Sequence, residues 1–159
     1  MLAVLTRKLR SAWQGPPFVL LWLLPVWLLL GIAKLLIFTV AFRRLAPGLG
    51  QAAGTAALVP LLTPAQQGRA RLISRTVQTT ARYTPWNSNC FPQAVVARLL
   101  LGLYRIPYTL CFGLSREPEA GEIKAHAWVA AGPVRVTGGA SFGHYTVVGV
   151  YTSPHLAGS

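Results

Sequence analysis

The longest apolar run of the chain is the feature that most restricts its fold. Residues 18–42 read FVLLWLLPVWLLLGIAKLLIFTVAF, and Lys34 is the only charged residue among them. As one helix, this run would be roughly 37 Å long, which is enough to cross a hydrocarbon core of ~30 Å with some tilt. The run therefore predicts a helix that spans the membrane or lies in it. Basic residues occur on both sides of it, so the positive-inside rule fixes no orientation; they are Arg7, Lys8, Arg10, Arg43 and Arg44.

Two other interpretations of this run are a secretory signal peptide and a buried helical hairpin. The run is longer than a typical signal-peptide core, and no small-x-small cleavage site follows it cleanly, which disfavours the first. In the second, two helices broken near Gly31 would cover the core of the domain itself. We assign residues 1–50 to a hydrophobic helical region and leave the hairpin open.

The charge of the chain indicates an anionic partner. Fifteen Lys and Arg stand against three acids, all Glu, for a net charge of +12, and there is no Asp. Such an excess suits nucleic acid, an anionic membrane surface or an acidic peptide. The arginines are spread along the chain instead of clustering with aromatic residues, so no platform for stacking bases stands out. We therefore expect no nucleic-acid partner.

The cysteine content favours a reducing compartment. Cys90 and Cys111 are the only two cysteines, which is too few for a disulfide framework. We expect the protein to be cytoplasmic and associated with the membrane through residues 18–42.

A connector and a capped helix follow the apolar region. Residues 46–60 are rich in Gly, Pro and Ala. Thr63 then suits an N-cap, Pro64 the first helical position and Gln66 the closing residue of a capping box, so a helix should run to about Arg82. Its apolar side would consist of Leu72, Ile73 and Val77. Its basic side, a solvated face or a contact for an acidic partner, would consist of Arg71, Arg75 and Arg82.

A second helix and four strands complete the pattern. The helix should start around residues 89–91, and its apolar face would consist of Val95, Val96, Leu99, Leu100 and Leu103. Strand-like segments follow at residues 108–114, 123–131, 134–139 and 144–152, separated by turn signals. Helices followed by antiparallel strands predict an α+β domain at residues 51–159.

The stretch PWNSNC places Cys90 at the start of the second helix. Unpaired N–H groups give a helix N-terminus a partial positive charge, which favours the thiolate form of a cysteine there. The same N–H groups point to where an oxyanion would form. Asn87 and Asn89 could cap the helix or add a donor to that oxyanion hole. The pattern is typical of a nucleophilic cysteine.

A nucleophilic thiol needs a base, and His126 is the best placed of three histidines. It lies in the middle of a predicted strand, where a period of two puts it on the same face as Trp128, which would shield the imidazole from water. His144 lies at a turn and His155 near the end of the chain.

Each candidate also has a purely structural interpretation. Cys90 could be a small residue that packs at a helix start. His126 could be a core histidine bonded to a backbone carbonyl. Cys111, in an apolar strand, is most simply a core residue.

These residues lie in a longer stretch that resembles a known family. The segment PWNSNCFPQAVVARLLLGLYRIPYTLCFGL, then AHAWV and GPVRVTGGASFGHYTVV, resembles the stand-alone transglutaminase-like protease half of the lasso-peptide B protein. The shared elements are the cysteine that heads an amphipathic helix, RIP before a strand, the AHAW strand and the closing TGG and Tyr. The resemblance covers Trp86 to about Tyr151, and the apolar N-terminal third is also similar.

The resemblance implies a papain-like cysteine protease on a transglutaminase-like fold, in which a cysteine-bearing helix packs on an antiparallel sheet. Cys90 would be the nucleophile and His126 the base. The third catalytic residue of the family is an acid after the histidine, but this chain has no Asp, Glu, Asn or Gln after His126. Thr137, Ser141 or a backbone carbonyl would then hold the ring.

The function implied by the resemblance is removal of the leader from a ribosomally made precursor peptide. A separate small protein would recognise the leader, an ATP-dependent cyclase would close the released core, and neither a metal nor a cofactor is expected. Two alternatives stay open. The same dyad could transfer an acyl group to an amine, or the chain could be a non-catalytic membrane-associated scaffold that binds an acidic peptide.

Overall fold

The structure is a computed structural model, and it describes residues 16–56, 58–116, 122–139 and 143–154. Within these ranges, five strands form one antiparallel sheet in the order β1-β5-β2-β3-β4. Their bounds are Gln51–Ala52 for β1, Thr109–Arg116 for β2, Ile123–Ala131 for β3, Val134–Thr137 for β4 and Thr146–Thr152 for β5.

In the described part of the chain, three long helices and one short one accompany the sheet. They are α1 at Pro17–Thr39, the single-turn α2 at Phe42–Leu45, α3 at Pro64–Ala81 and α4 at Cys90–Leu103, with a 3₁₀ turn at Ala46–Leu49 after α2. The predicted α+β class is confirmed, as are the four predicted strand segments. The two-residue strand β1 lies in the predicted connector and was not predicted.

The helices form two layers over one face of the sheet. Helices α3 and α4 pack on β3 and β4, and α1 packs on α3 and α4. A single apolar core joins the three layers, so α1 is part of the folded unit. Its largest fully buried side chains include Val26, Leu30, Ile73, Leu100, Leu101, Leu110 and Val129.

A smaller cluster lies on the opposite face of the sheet. Cys111, Trp128 and Val150 are buried there, and Tyr145 packs against them. Gly113 lies beneath this cluster, where a Cβ atom would come within 2.7 Å of the Trp128 ring and of the Tyr145 Cβ. The strand needs a glycine at this position because the two aromatic side chains approach its backbone closely.

Helix α1 is one continuous helix. It contains Pro25 and continues through Gly31, so the hairpin broken near Gly31 is wrong. A proline inside a helix removes one backbone hydrogen bond. Long apolar helices tolerate this loss where neighbouring groups satisfy the freed backbone carbonyl. Helix α1 is long and apolar enough to cross a membrane. Its buried side chains lie on one face and are Val19, Val26, Leu30 and Ala33.

The start of α3 follows its local sequence signal. The Thr63 hydroxyl accepts a hydrogen bond from the Gln66 backbone N–H at 3.2 Å, and the Gln66 side chain accepts one from the Thr63 N–H at 3.0 Å. This reciprocal pair is the predicted capping box, which is confirmed. Ile73 and Val77 are buried as predicted, whereas Leu72 is only half-buried.

The predicted apolar face of α4 is wrong for Leu99 and Leu103, which are exposed. Almost every position around this helix is small or apolar, so spacing alone does not select the face that meets the core. The structure buries a face that includes alanines; the buried residues are Pro92, Ala94, Val96, Ala97, Leu100 and Leu101.

Candidate active site

The loop between α3 and α4 is folded around Thr84. Its hydroxyl lies 2.9 Å from the Ala81 carbonyl oxygen, 2.8 Å from the Trp86 carbonyl oxygen and 2.9 Å from the Ser88 hydroxyl. These contacts tie the end of α3 to the residues that precede α4. They therefore fix where the first turn of α4, and the cysteine in it, must lie.

Cys90 is the first residue of α4 and is half-buried. Asn89 occupies the N-cap position in an extended conformation, but its side chain makes no capping hydrogen bond. The backbone carbonyl of Asn87 accepts a hydrogen bond from the Lys34 ammonium group at 3.1 Å. Side-chain capping by Asn89 is therefore not seen, because the loop is held through Thr84 and Lys34 instead. A role for Asn87 or Asn89 in an oxyanion hole stays a prediction.

His126 lies on β3 beyond the point where its neighbour β4 ends. Strand β4 ends at Thr137, which pairs with Val129, so the part of β3 that carries His126 forms an open edge. The Nε2 atom of the ring lies 3.2 Å from the carbonyl oxygen of Gly138. A carbonyl oxygen only accepts hydrogen bonds, so Nε2 carries the proton and Nδ1 is the nitrogen that can accept one.

The backbone carbonyl of Gly138, and not Thr137, holds the ring. The Thr137 side chain is fully buried, and its hydroxyl has no hydrogen-bond partner among the described residues. An irregularity in the pairing of β3 with β4 places Thr137 opposite the core residue Val129, which is why the threonine is buried among apolar groups. The Thr137 hydroxyl thus makes no hydrogen bond to the ring among the described residues, and an orienting role for Thr137 stays a prediction. Ser141 lies outside the described residues.

Aromatic rings cover one side of the imidazole. The Trp128 ring stacks at 5.9 Å between centroids and the Tyr145 ring at 4.9 Å, with interplanar angles of 28° and 27°. The strand period predicted that His126 and Trp128 lie side by side. The contact between His126 and Tyr145 was not predicted. Gly113 is the one signal that pointed to it, since a glycine inside a strand often marks a close approach of other groups.

One cavity of about 360 Å³ brings the two predicted residues together. It opens between the end of α3, the start of α4 and the open edge of β3. Its wall is formed by Gln78, Ala81, Arg82, Cys90, Gln93, His126, Gly138 and Gly139. His144 is exposed and does not belong to this wall. Cys90 and His126 therefore share one cavity, and their catalytic roles stay predictions.

The two glutamines stiffen the wall of the cavity. The side-chain amide of Gln78 donates to the Val136 carbonyl at 3.1 Å and to the Ser74 hydroxyl at 3.0 Å. The amide of Gln93 donates to the Ser88 carbonyl at 2.7 Å. Neither glutamine was predicted; the Val136 carbonyl that Gln78 binds becomes its neighbour only in the folded chain, whereas Ser88 lies five residues before Gln93.

Arg82 makes the cavity electropositive. It is exposed, and no described residue forms a hydrogen bond or an ion pair with its guanidinium group. The arginines of the predicted basic side of α3 are exposed, and Arg82 also borders the cavity; whether this side is only solvated or contacts an acidic partner stays open. A guanidinium group in this place can bind a carboxylate of a ligand.

Cys111 does not line the cavity. It is buried against Trp128, on the sheet face that also carries His126, and it is unpaired with Cys90, as predicted for a core residue. Burial raises the pKa of its thiol to about 11, because removal from water disfavours the charged thiolate.

A metal-binding cluster is not found in the described part of the chain, where no three His, Cys, Asp or Glu side chains lie together. The expectation of chemistry without a metal or cofactor stays a prediction.

The comparisons with known proteins give one match. The model of a family described as the transglutaminase-like superfamily matches residues 35–150, which is more than half of the chain and includes Cys90 and His126. No match to a curated protein or to a solved structure was found.

Proposed function

The chain belongs to the transglutaminase-like superfamily, and from that premise we propose that it is a cysteine peptidase that removes the leader from a ribosomally made precursor peptide. The fold of this superfamily is usually that of a cysteine peptidase or an acyltransferase. The narrower role, maturation of a lasso peptide, is supported by the sequence resemblance between Trp86 and Tyr151.

The observation that carries the proposal is the arrangement around the cavity. A cysteine at a helix N-terminus and a histidine with its Nε2 held by a carbonyl occupy the same wall. The contact to Gly138 leaves Nδ1 of His126 able to take a proton. Acyl transfer to sulfur requires three groups: a thiol, an acceptor for its proton, and N–H groups that stabilise the developing oxyanion.

The reaction then proceeds in two stages. His126 accepts the proton of the Cys90 thiol through Nδ1, and the sulfur attacks the carbonyl carbon of the scissile peptide bond. The N–H groups at the start of α4 stabilise the oxyanion, and the imidazolium gives its proton to the leaving amine. Water then attacks the thioester, His126 takes a proton from it, and the products are a free carboxylate and the regenerated thiol.

The charge of the chain fits a peptide substrate with acidic residues. The net charge is +12, and Arg82 on the cavity wall has no partner among the described residues. We propose that a separate protein recognises the leader and that an ATP-dependent cyclase acts on the released core. A precursor gene, a leader-binding protein and an asparagine-synthetase-like cyclase encoded beside this chain would support that division of labour.

The direct test uses the full chain with the precursor peptide and the leader-binding protein encoded nearby. Cleavage is followed by mass spectrometry of the products. Cys90→Ala and His126→Ala should reduce the rate by about 100-fold or more, because each removes one member of the dyad. Cys111→Ala is the matched control, since it removes the other thiol and should leave the rate nearly unchanged. Cleavage at the same site by the Cys90→Ala protein would contradict the proposal.

The chemical nature of the product separates the peptidase from an acyltransferase. Hydrolysis leaves a free carboxylate at the end of the leader. Transfer to an amine leaves an amide or an isopeptide of different mass. If the second product dominates when amines are present, the same site is an acyltransferase. If neither product forms under any condition while an acidic peptide binds, the scaffold hypothesis replaces the enzyme.

A further inference from the structure

We propose that α1 lies flat in the surface of an anionic membrane, with its exposed face in the lipid, and does not span the bilayer. This proposal concerns how the protein is held, and it does not depend on the proposed activity. The surface concerned, called the outer stripe below, consists of Leu21, Leu24, Leu28, Ile32 and Leu35.

The outer stripe is a continuous apolar face. Its five side chains follow one another at intervals of three, four, four and three residues, which places them on one side of an α-helix. They are between 51% and 72% exposed. The opposite side of α1 packs on the core. One face of the helix is therefore buried and the other exposed, although the residues on both faces are apolar. Five large aliphatic side chains along one helix face are unfavourable in water.

The packing of α1 on α4 shows why this helix does not cross a bilayer as it stands. Phe18 and Trp22 contact Tyr104 just after the end of α4, with the Trp22 indole donating to the Tyr104 hydroxyl at 2.9 Å. Gly31 meets Trp86 just before the start of α4. Helix α1 therefore runs antiparallel along the whole of α4, and any membrane crossed by α1 would also contain α4.

Helix α3 packs beside α1 as well, and it is strongly basic. The Arg69 guanidinium group lies 5.2 Å from the Phe18 ring, at the N-terminal end of α1. Arg71 and Arg75 are exposed on the next turns of α3. A charged side chain placed at the centre of a bilayer costs about 2.5–3.5 kcal/mol on insertion scales. Spanning would therefore either bury these arginines in hydrocarbon or strip α1 from the core.

Charge selects an anionic membrane as the occupant of this face. Arg43 and Arg44 are exposed in α2, directly after the exposed aromatic residues Phe38 and Phe42 at the end of the stripe. Basic residues beside a membrane-bound apolar face are attracted to anionic lipid. A second copy of this chain would bring two molecules of net charge +12 together, which repulsion opposes.

The position of α1 also locates the cavity relative to the lipid. The Lys34 ammonium group binds the Asn87 carbonyl, and Gly31 makes room for Trp86, so the loop that leads into Cys90 rests on α1. Lys34 and Gly31 of α1 thus support the loop that leads into the candidate active site. A peptide that enters the cavity would do so close to the membrane surface.

The test is flotation of the full chain with lipid vesicles. The purified protein, diluted from detergent, is mixed with vesicles of phosphatidylcholine alone or with phosphatidylglycerol added. We expect it to float with the anionic vesicles and to be released by alkaline carbonate, as an interfacial protein is. The double variant L24E/L28E should lose flotation by about tenfold or more, because two exposed leucines no longer enter the lipid.

The matched control is I123E/V148E, which adds the same two negative charges at exposed apolar positions on β3 and β5. It should float like the unchanged protein. Circular dichroism spectra of both variants verify that each is folded.

Equal loss of flotation in both variants would show that net charge alone holds the protein on the membrane and would overturn the proposal. So would retention of the unchanged protein after carbonate extraction, which indicates spanning. A dimer in light scattering that L24E/L28E converts to a monomer, without flotation of the unchanged protein, would assign the stripe to a second copy.

Discussion

The Gly138 carbonyl binds His126 where the family that the sequence resembles usually has an acid after the histidine. A carbonyl fixes the tautomer of the ring as a carboxylate does. It carries no net charge, however, so it stabilises the imidazolium that forms during the reaction less strongly. The geometry therefore supports proton transfer, and we expect the rate to be lower than that of an enzyme with a complete triad.

Gly139 offers a place to restore the missing charge. It lies on the cavity wall at φ +60°, a conformation that Asp and Asn tolerate better than most residues, and a Cβ there meets nothing within 4 Å. We expect Gly139→Asp to raise the rate of precursor cleavage by about tenfold or more, because a carboxylate would stand near the imidazolium. Gly139→Asn is the control of equal shape, and equal rates for the two variants would argue against the electrostatic explanation.

Cys111 should give the stability of the protein a distinct alkaline dependence. Its folded-state pKa of about 11 is raised above the ordinary value of 9.0, so the folded state holds the proton more tightly than the unfolded chain. The resulting stabilisation is fully present below pH 9 and is lost as the pH rises to about 11. Other groups also titrate in this range, so the comparison is with Cys111→Ala.

Between these two pH values the free energy of unfolding of the unchanged protein should fall by ~1–2 kcal/mol more than that of the variant. Denaturant titrations at a series of pH values provide the measurement. Parallel curves for the two proteins would show that the thiol does not titrate differently in the folded state.

How much of the site was predictable depends on how local each signal is. Cys90 and His126 could be proposed as site candidates because a helix start and a strand alternation are both visible in neighbouring residues of the sequence. An unspecified backbone carbonyl was foreseen as one of three ways to hold the ring, and the structure places the Gly138 carbonyl 3.2 Å from Nε2. Tyr145 and Gln78 were missed because each reaches its partner across a large separation in the chain, and Gln93 was missed although its partner Ser88 lies only five residues before it.

Among the elements, the start of α3 is determined by a local sequence motif, the capping box of Thr63 and Gln66. The capping box satisfies two N–H groups that a helix N-terminus otherwise leaves unpaired. Thr63→Ala should lower the free energy of unfolding by about 1 kcal/mol, because the hydroxyl that caps the helix is lost. Thr55→Ala is the control at an exposed threonine outside the helices, and we expect it to have little effect. Chemical denaturation measures both, and equal losses would mean that the cap contributes nothing specific.

The elements also show where sequence patterns stop being informative. The strands of the sheet have turn signals between them and were predicted, whereas β1 is too short to carry any alternation. In α4 the apolar residues surround the helix, so neither Leu99 nor Leu103 could be excluded from the core by spacing. The choice of face is made by tertiary packing of the small residues Ala94 and Ala97 against the sheet and α1.

At the scale of the whole molecule, α1 is part of the same core as the rest of the protein. Leu30 is fully buried in the cluster that also contains residues of α3, α4 and the sheet, whereas Leu28 on the same helix is 51% exposed. A division into residues 1–50 and 51–159 stays a prediction, but the core contains residues from both ranges. Helix α1 therefore has a structural role besides any contact with lipid.

Leu30→Ala and Leu28→Ala form a matched pair that tests this role. The first should lower the free energy of unfolding by about 2–5 kcal/mol, because it opens a cavity in the shared core. The second should change it far less, by about 0.5 kcal/mol, since half of the Leu28 side chain is already exposed and no buried cavity opens. Thermal unfolding in detergent followed by circular dichroism compares them. Similar small effects of both substitutions would mean that α1 is an appendage and that the rest of the chain folds without it.

The contact between Gly31 and Trp86 also has a consequence for related genes. A Cβ at position 31 would lie 3.1 Å from the indole ring, so a side chain there would require the ring to move by a few tenths of an ångström. Lineages that acquire a larger residue at 31 should also replace the tryptophan at 86 by something smaller. Among diverged homologues the two positions should therefore vary in a compensating way, although 55 positions separate them along the chain.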